Sequence, residues 1–161
     1  MNGRYLILSG RIHQELQRLD HVVNRVKRIW QLSSQIPDDV YIDAVALNLH
    51  GFYAGVERIF EVIANQVDES IPRGERWHIE LLQQMAYHVP KVRPAVISTD
   101  LRDRLDKYRG FRHVVRNVYT FNLDPQLLQI LVEDLPSTFA LLEKSLINFA
   151  DTLEAMGAEE D

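Results

Sequence analysis

The sequence predicts an all-α protein, an antiparallel four-helix bundle with one additional short helix. Three observations carry this. Apolar residues recur at steps of three and four over long stretches, the period of one helix face. Prolines and glycines punctuate the chain between those stretches. No stretch alternates apolar and polar residues as a half-buried strand does.

In the first helix Ile12, Leu16, Leu19, Val23, Val26 and Trp30 step by 4, 3, 4, 3, 4. In the second, Ile42, Val45, Leu49, Phe52, Val56, Ile59 and Ile63 step by 3, 4, 3, 4, 3, 4. That helix starts after Pro37, with Asp38 and Asp39 as N-cap candidates. A shorter third helix, roughly Glu75 to His88, puts Trp77, Leu81 and Met85 on one face and is bounded by IPRG before it and by Pro90 and Pro94 after it. A fourth runs from Thr99 or Asp100, either of which could cap it, to about Phe121. Asp124-Pro125 opens a fifth element. Pro136 is expected to kink or break it, leaving a last helix to about Met156 with Phe139, Leu142, Leu146, Phe149 and Leu153 at helical spacing. Long amphipathic helices joined by short connections make one domain over residues 1–156, followed by a disordered acidic tail from Gly157 to Asp161.

A chain of 161 residues is long enough to bury a proper core. Apolar residues at 46% and charged residues at 25% are ordinary for a soluble globular protein. A net charge of −5 argues against a general nucleic-acid coat, which is basic throughout, but leaves room for a local basic site. With no cysteine, disulfides and thiolate metal sites are excluded, and a reducing cytoplasm fits. The N-terminal MNGRYLILSGRIHQ has too short an apolar run for a signal peptide or a membrane span, so no membrane partner is expected.

One stretch departs from the acidic average. From 100 to 120 there are six Lys or Arg against three Asp, a local charge of +3. On a helix at about 100° per residue, Phe111, Val114, Val115 and Val118 share one side. Arg109, Arg112, His113, Arg116 and Thr120 share the other, with Asn117 and Tyr119 at its margins. Asp100, Asp103 and Asp106 can neutralise the first half of this face at helical spacing. After Lys107 no acid occurs before Asp124, so Arg109, Arg112 and Arg116 lack a local partner. Their partner is an acid from another helix, an acid from another subunit, or a phosphate. An anion site and an ion-paired face both satisfy the charge pattern.

The residue types suit RNA cleavage without a metal. That reaction needs a base for the 2′-hydroxyl proton, an acid for the leaving oxygen and fixed cations for the charged phosphorane. Histidine can act as acid or base near neutrality. The motif offers one histidine per chain, so two-fold pairing that brings two together is expected.

RHVVRNVY, residues 112–119, resembles the motif of HepT-like toxins in the HEPN superfamily: an Arg, four residues, a polar residue that is usually His, one residue, then Tyr. Arg112, Asn117 and Tyr119 hold those places, and His113 stands where the family has a small polar residue after its Arg. The following FNLD and the upstream ALNLHGFYAGVERIFEVIA are similar to the flanking turn and the second helix of such proteins. The resemblance implies a metal-independent endoribonuclease, the toxin of a toxin–antitoxin pair, with its site in a homodimer cleft and a minimal nucleotidyltransferase as antitoxin. It implies that Arg112 and Arg116 bind phosphate, and that Tyr119 is a place for adenylylation by the antitoxin.

The departure is Asn117, since asparagine transfers no proton at neutral pH. Proton transfer is then expected of His113, one turn earlier, with Asn117 as a hydrogen-bonding group. The alternative is a catalytically inert module that binds a nucleotide or works with a nucleotidyltransferase. On the second helix Asp43, His50 and Glu57 stand seven apart, with Glu61 beyond. This stripe could suggest a bundle metal site. The better reading is that Glu57 first, or Asp43 second, orients the arginines of the fourth helix, and no metal or cofactor is expected. Trp77-His78 reads as a core anchor and its neighbour, His13 and His21 as surface or packing histidines, and Tyr53 as core.

Overall fold

The computed structural model describes residues 2–36, 38–119 and 122–159. Five α-helices form: α1 (Gly3–Leu32), α2 (Val40–Gln66), α3 (Trp77–Met85), α4 (Thr99–Asn117) and α5 (Pro125–Glu159), with a 3-10 turn at Ser33–Gln35. No strand occurs among the described residues, only an isolated bridge between Val89 and Arg93. The expected all-α bundle is present, and none of these helices is long and apolar enough to cross a membrane.

Contacts fix the directions. The Asn2 amide donates to the Gly157 carbonyl (2.9 Å) and Ser9 Oγ donates to Glu154 (2.6 Å), so α1 and α5 run antiparallel. Gly55 lies where an added Cβ would come within 2.7 Å of Leu19 Cδ2, a close crossing of α1 and α2. Arg104 reaches Asp134, and Tyr108 Oη donates to the Leu131 carbonyl (2.7 Å), which aligns α4 antiparallel to α5. The stripes read from the sequence fill the core: Leu16, Leu19, Val23 and Val26 of α1, Leu49, Phe52, Val56 and Ile63 of α2, and Leu142, Leu146 and Leu153 of α5 are all buried. Tyr53 is core as well.

Several boundaries move. α1 begins at Gly3, ahead of its stripe, because Asn2 accepts from the Arg4 amide and caps it. α2 begins at Val40, with Asp39 at the N-cap position but no side-chain capping bond, and α3 is shorter than expected. Ser98, rather than Thr99 or Asp100, caps α4 by accepting from the Leu101 amide. α4 ends at Asn117; Val118 is already extended and exposed, not part of the apolar face. Phe121 and Thr120 lie outside the described residues.

Pro136 does not break α5. Its turn is tied by side chains: Ser137 Oγ donates to the Asp134 carbonyl (3.1 Å), Thr138 Oγ1 donates to Asp134 Oδ2 (3.0 Å), and Arg104 of α4 contacts both Asp134 and Ser137. Buried Leu131, Val132, Leu135, Phe139 and Leu142 continue one face through the proline, so packing outweighs the lost backbone bond. The tail expected from Gly157 is helical to Glu159, with Gly157 buried against the start of α1. Residues 160 and 161 lie outside the described residues.

Candidate functional site

The site is built on α2, α3 and α4. Glu57 sits on the core-facing side of α2 and is 3% exposed, a place where a carboxylate needs partners. It has two. Oε1 accepts from Arg112 Nη1 of α4 (2.6 Å), and Oε2 lies 2.7 Å from His78 Nδ1 of α3. Arg112 Nη1 also lies 3.2 Å from His78 Nδ1. The carboxylate is the stronger acceptor, so Nδ1 carries a proton and donates to Glu57, and the Arg–His approach is two donors converging on one acid. The ring of His78 stacks on Trp77 at 3.6 Å. Arg112 Nε is buried with no hydrogen-bond partner among the described residues.

In front of this group opens a pocket of about 190 Å³, lined by Glu75, Arg76, His78, Ile79, Arg109, Arg112, His113 and Arg116. Four guanidinium groups and two imidazoles face one opening, against the single acid Glu75 at the lining and Glu57 behind it. This is an electropositive cleft in an acidic protein, suited to a phosphate group. His50, one helical stretch before Glu57, belongs to the same field. Burial pushes its pKa below the usual histidine value, and the Arg112 and Arg116 cations push it further, with Glu57 opposing them. Burial raises the pKa of Glu61, and the neighbouring Glu57 charge adds to this.

The predicted residues separate into those gathered here and those not. Glu57 and Arg112 form the expected pair between the second and fourth helices. Arg109 lines the pocket but is not without a local partner: Asp106 accepts from its Nε at 2.6 Å. Arg116 is exposed at the pocket and makes no ion pair among the described residues. His113 lines the pocket, and Asn117, the last residue of α4, folds back on it. Asn117 Nδ2 donates to the His113 carbonyl (2.8 Å), which fixes the amide's orientation, and the same nitrogen lies 3.2 Å from His113 Nδ1. Nδ1 of His113 is therefore an acceptor and the ring proton sits on Nε2. Tyr119 lies beyond the helix and is 75% exposed. Asp43 does not join: it is exposed, fourteen residues before Glu57 on α2, about 21 Å along the axis at 1.5 Å per residue.

His78 and Arg76 are unforeseen members of the pocket, and His50 lies within the field of its arginines. His50 had a visible signal, its seven-residue spacing from Glu57. His78 had none at helical range, because its place opposite Glu57 depends on the path of residues 67–76. Glu75 and His78 do stand at the Glu-x-x-His spacing of bundle metal ligands. His78 Nδ1 is committed to Glu57, however, and no group of three or more His, Cys, Asp or Glu that could hold a metal occurs among the described residues.

Fold and cleft together define an all-α bundle with a cationic site at the end of its fourth helix. The chain belongs to the HepT-like protein family, whose model matches residues 44–153. That span holds Glu57, His78 and the whole of residues 112–119. Among curated proteins and among solved structures, none matches the chain significantly.

Proposed function

We propose that this chain is the ribonuclease toxin of a toxin–antitoxin pair, cleaving RNA without a metal at a site completed in a homodimer. Membership in the HepT-like family supports a HEPN-type, ribonuclease-related role. The observation that carries the reading is the cleft itself: four arginines and two histidines around one opening, a cationic lining that suits a phosphate. Arg112 and Arg116 bind and stabilise the phosphate, with Arg109 at the edge. Glu57 holds Arg112 in position. His113, with its proton on Nε2, donates to a phosphate oxygen, and Asn117 fixes that tautomer. Tyr119, exposed just past the helix, is open to adenylylation by a minimal nucleotidyltransferase antitoxin, which would add bulk and negative charge beside the cations. The protein acts in the cytoplasm.

The purified chain should cleave RNA at an unchanged rate in EDTA. Gel analysis of a short RNA checks this, and cleavage that EDTA abolishes would overturn the metal-independent mechanism. A second reading, the inert partner-binding module, draws on Asn117 in the motif's histidine position and its bond to His113. It wins if the chain cleaves no RNA yet binds a nucleotidyltransferase.

Pairing in the dimer rests on two exposed features, one at the cleft and one on α2. Arg116 is without an acid partner among the described residues, and Leu47 is 70% exposed one turn before His50 on α2. Light scattering should give twice 18.7 kDa at micromolar concentration. Leu47→Arg should return the mass to one chain. A strict monomer for the parent protein would remove the composite site.

A further inference from the structure

We infer that Glu57 and His78 form a proton-transfer dyad in which His78 Nε2 accepts the 2′-hydroxyl proton of bound RNA. The inference rests on the ribonuclease reading above and assigns its base to a residue outside the motif.

The two histidines of the pocket are held in opposite states. Glu57 Oε2 accepts a hydrogen bond from His78 Nδ1–H at 2.7 Å, which leaves the lone pair on Nε2. Trp77 stacks on the ring at 3.6 Å and limits its rotation. The His78 side chain is still 25% exposed and lines the pocket, so a substrate can reach it. His113 is the reverse: Asn117 Nδ2 covers its Nδ1 at 3.2 Å, and Nε2 holds the proton. A ring whose lone pair faces an amide donor is a poor base and a good hydrogen-bond donor. A ring whose Nδ1–H is held by a buried carboxylate presents its Nε2 lone pair to the pocket, and the carboxylate, shared with Arg112, offsets the charge of the imidazolium that forms.

The same carboxylate carries Arg112 on its other oxygen. Glu57 is thus a positioning residue that sets the phosphate-binding cation and the base relative to each other. In the reaction the O2′–H proton passes to His78 Nε2 as O2′ bonds to phosphorus. The P–O5′ bond breaks, and the 5′-oxygen takes a proton from water. The hydroxide left behind recovers the proton from His78. The products are a 2′,3′-cyclic phosphate and a 5′-hydroxyl end.

The test uses the full chain, a short single-stranded RNA and EDTA throughout. His78→Ala should lower kcat about 100-fold or more with KM within about threefold, the scale of lost general-base help. Added imidazole should restore part of that loss, which it cannot do for a structural defect. His113→Ala should cost about tenfold, one charge-assisted hydrogen bond. Long-range proton–nitrogen NMR should show His78 protonated at Nδ1 in the parent and redistributed toward Nε2 in Glu57→Gln. Parental cleavage by His78→Ala, a loss that imidazole does not rescue, or an Nε2 proton on His78 in the parent each overturns the dyad alone. If the parent chain cleaves no RNA, the ribonuclease reading falls and the dyad with it.

Discussion

Arg93→Met should destabilise the protein by about 3–5 kcal/mol, the cost of removing one partner from a buried ion pair. At about 2–4 °C per kcal/mol for a chain of this size, Tm should fall by about 6–20 °C. The Arg93 side chain is fully buried, and its partner Asp68 is 4% exposed. Nη2 donates to Asp68 Oδ2 at 2.7 Å, and Nε donates to Oδ1. Nη1 donates to the carbonyls of Tyr87 (2.9 Å) and Pro94 (3.1 Å), and Nη2 also to that of Gln84 (3.2 Å). One guanidinium therefore ties the segment after α2 to the end of α3 and to the turn before α4. Methionine fills much of the volume but leaves Asp68 with Gln84 Nε2 as its remaining side-chain donor. The double variant Arg93→Met, Asp68→Leu should recover much of the loss, because the uncompensated charge is then gone. Thermal unfolding followed by circular dichroism decides this; a fall of less than about 3 °C in the single variant would show the pair to be expendable. The effect reaches the site, since α3 carries His78 into the cleft.

The helices were legible because burial here follows the period of 3.6, and the long stripes of the first, second and last helices lie in the core or, at Trp30, pack against it. Their ends were less so, because ends depend on single side chains. Asn2 starts α1 before its stripe begins, and Ser98 was one residue outside the expected cap. Pro136 predicts a kink or a break by its local rule; the break does not occur, and Arg104, distant in sequence, ties that turn through Asp134 and Ser137, which no window around the proline shows. The Glu57–Arg112 pair was legible from charge: arginines without local acids point to an acid elsewhere, and the second helix offered two. Asp43 failed by distance along the helix. His78 was not legible. Its partner lies twenty-one residues away across an irregular segment, and only the folded path of that segment sets the imidazole on Glu57.

Arg112→Ala should lower kcat/KM for RNA by about 10²–10³-fold, the scale of deleting one fixed group that stabilises developing charge in a secluded site. The loss has two sources with different signatures. One is phosphate binding: in a binding titration the deficit should shrink as salt rises, and the slope of log K against log salt should fall by about one. The other is geometry, because Arg112 fills one oxygen of Glu57 while His78 fills the other. Arg112→Lys should therefore recover little: a flexible point charge cannot reproduce a guanidinium held at 2.6 Å on a buried carboxylate. His50 supplies a reading that needs no substrate. Burial is the first cause of its lowered pKa, and the Arg112 and Arg116 cations follow. Removing Arg112 takes away a charge that disfavours protonation, so the His50 pKa should rise, as NMR titration of its ring protons would show. Cleavage at the parental rate by Arg112→Ala, with the His50 titration moved upward, would leave Arg112 as a structural partner of Glu57 and take it out of the reaction.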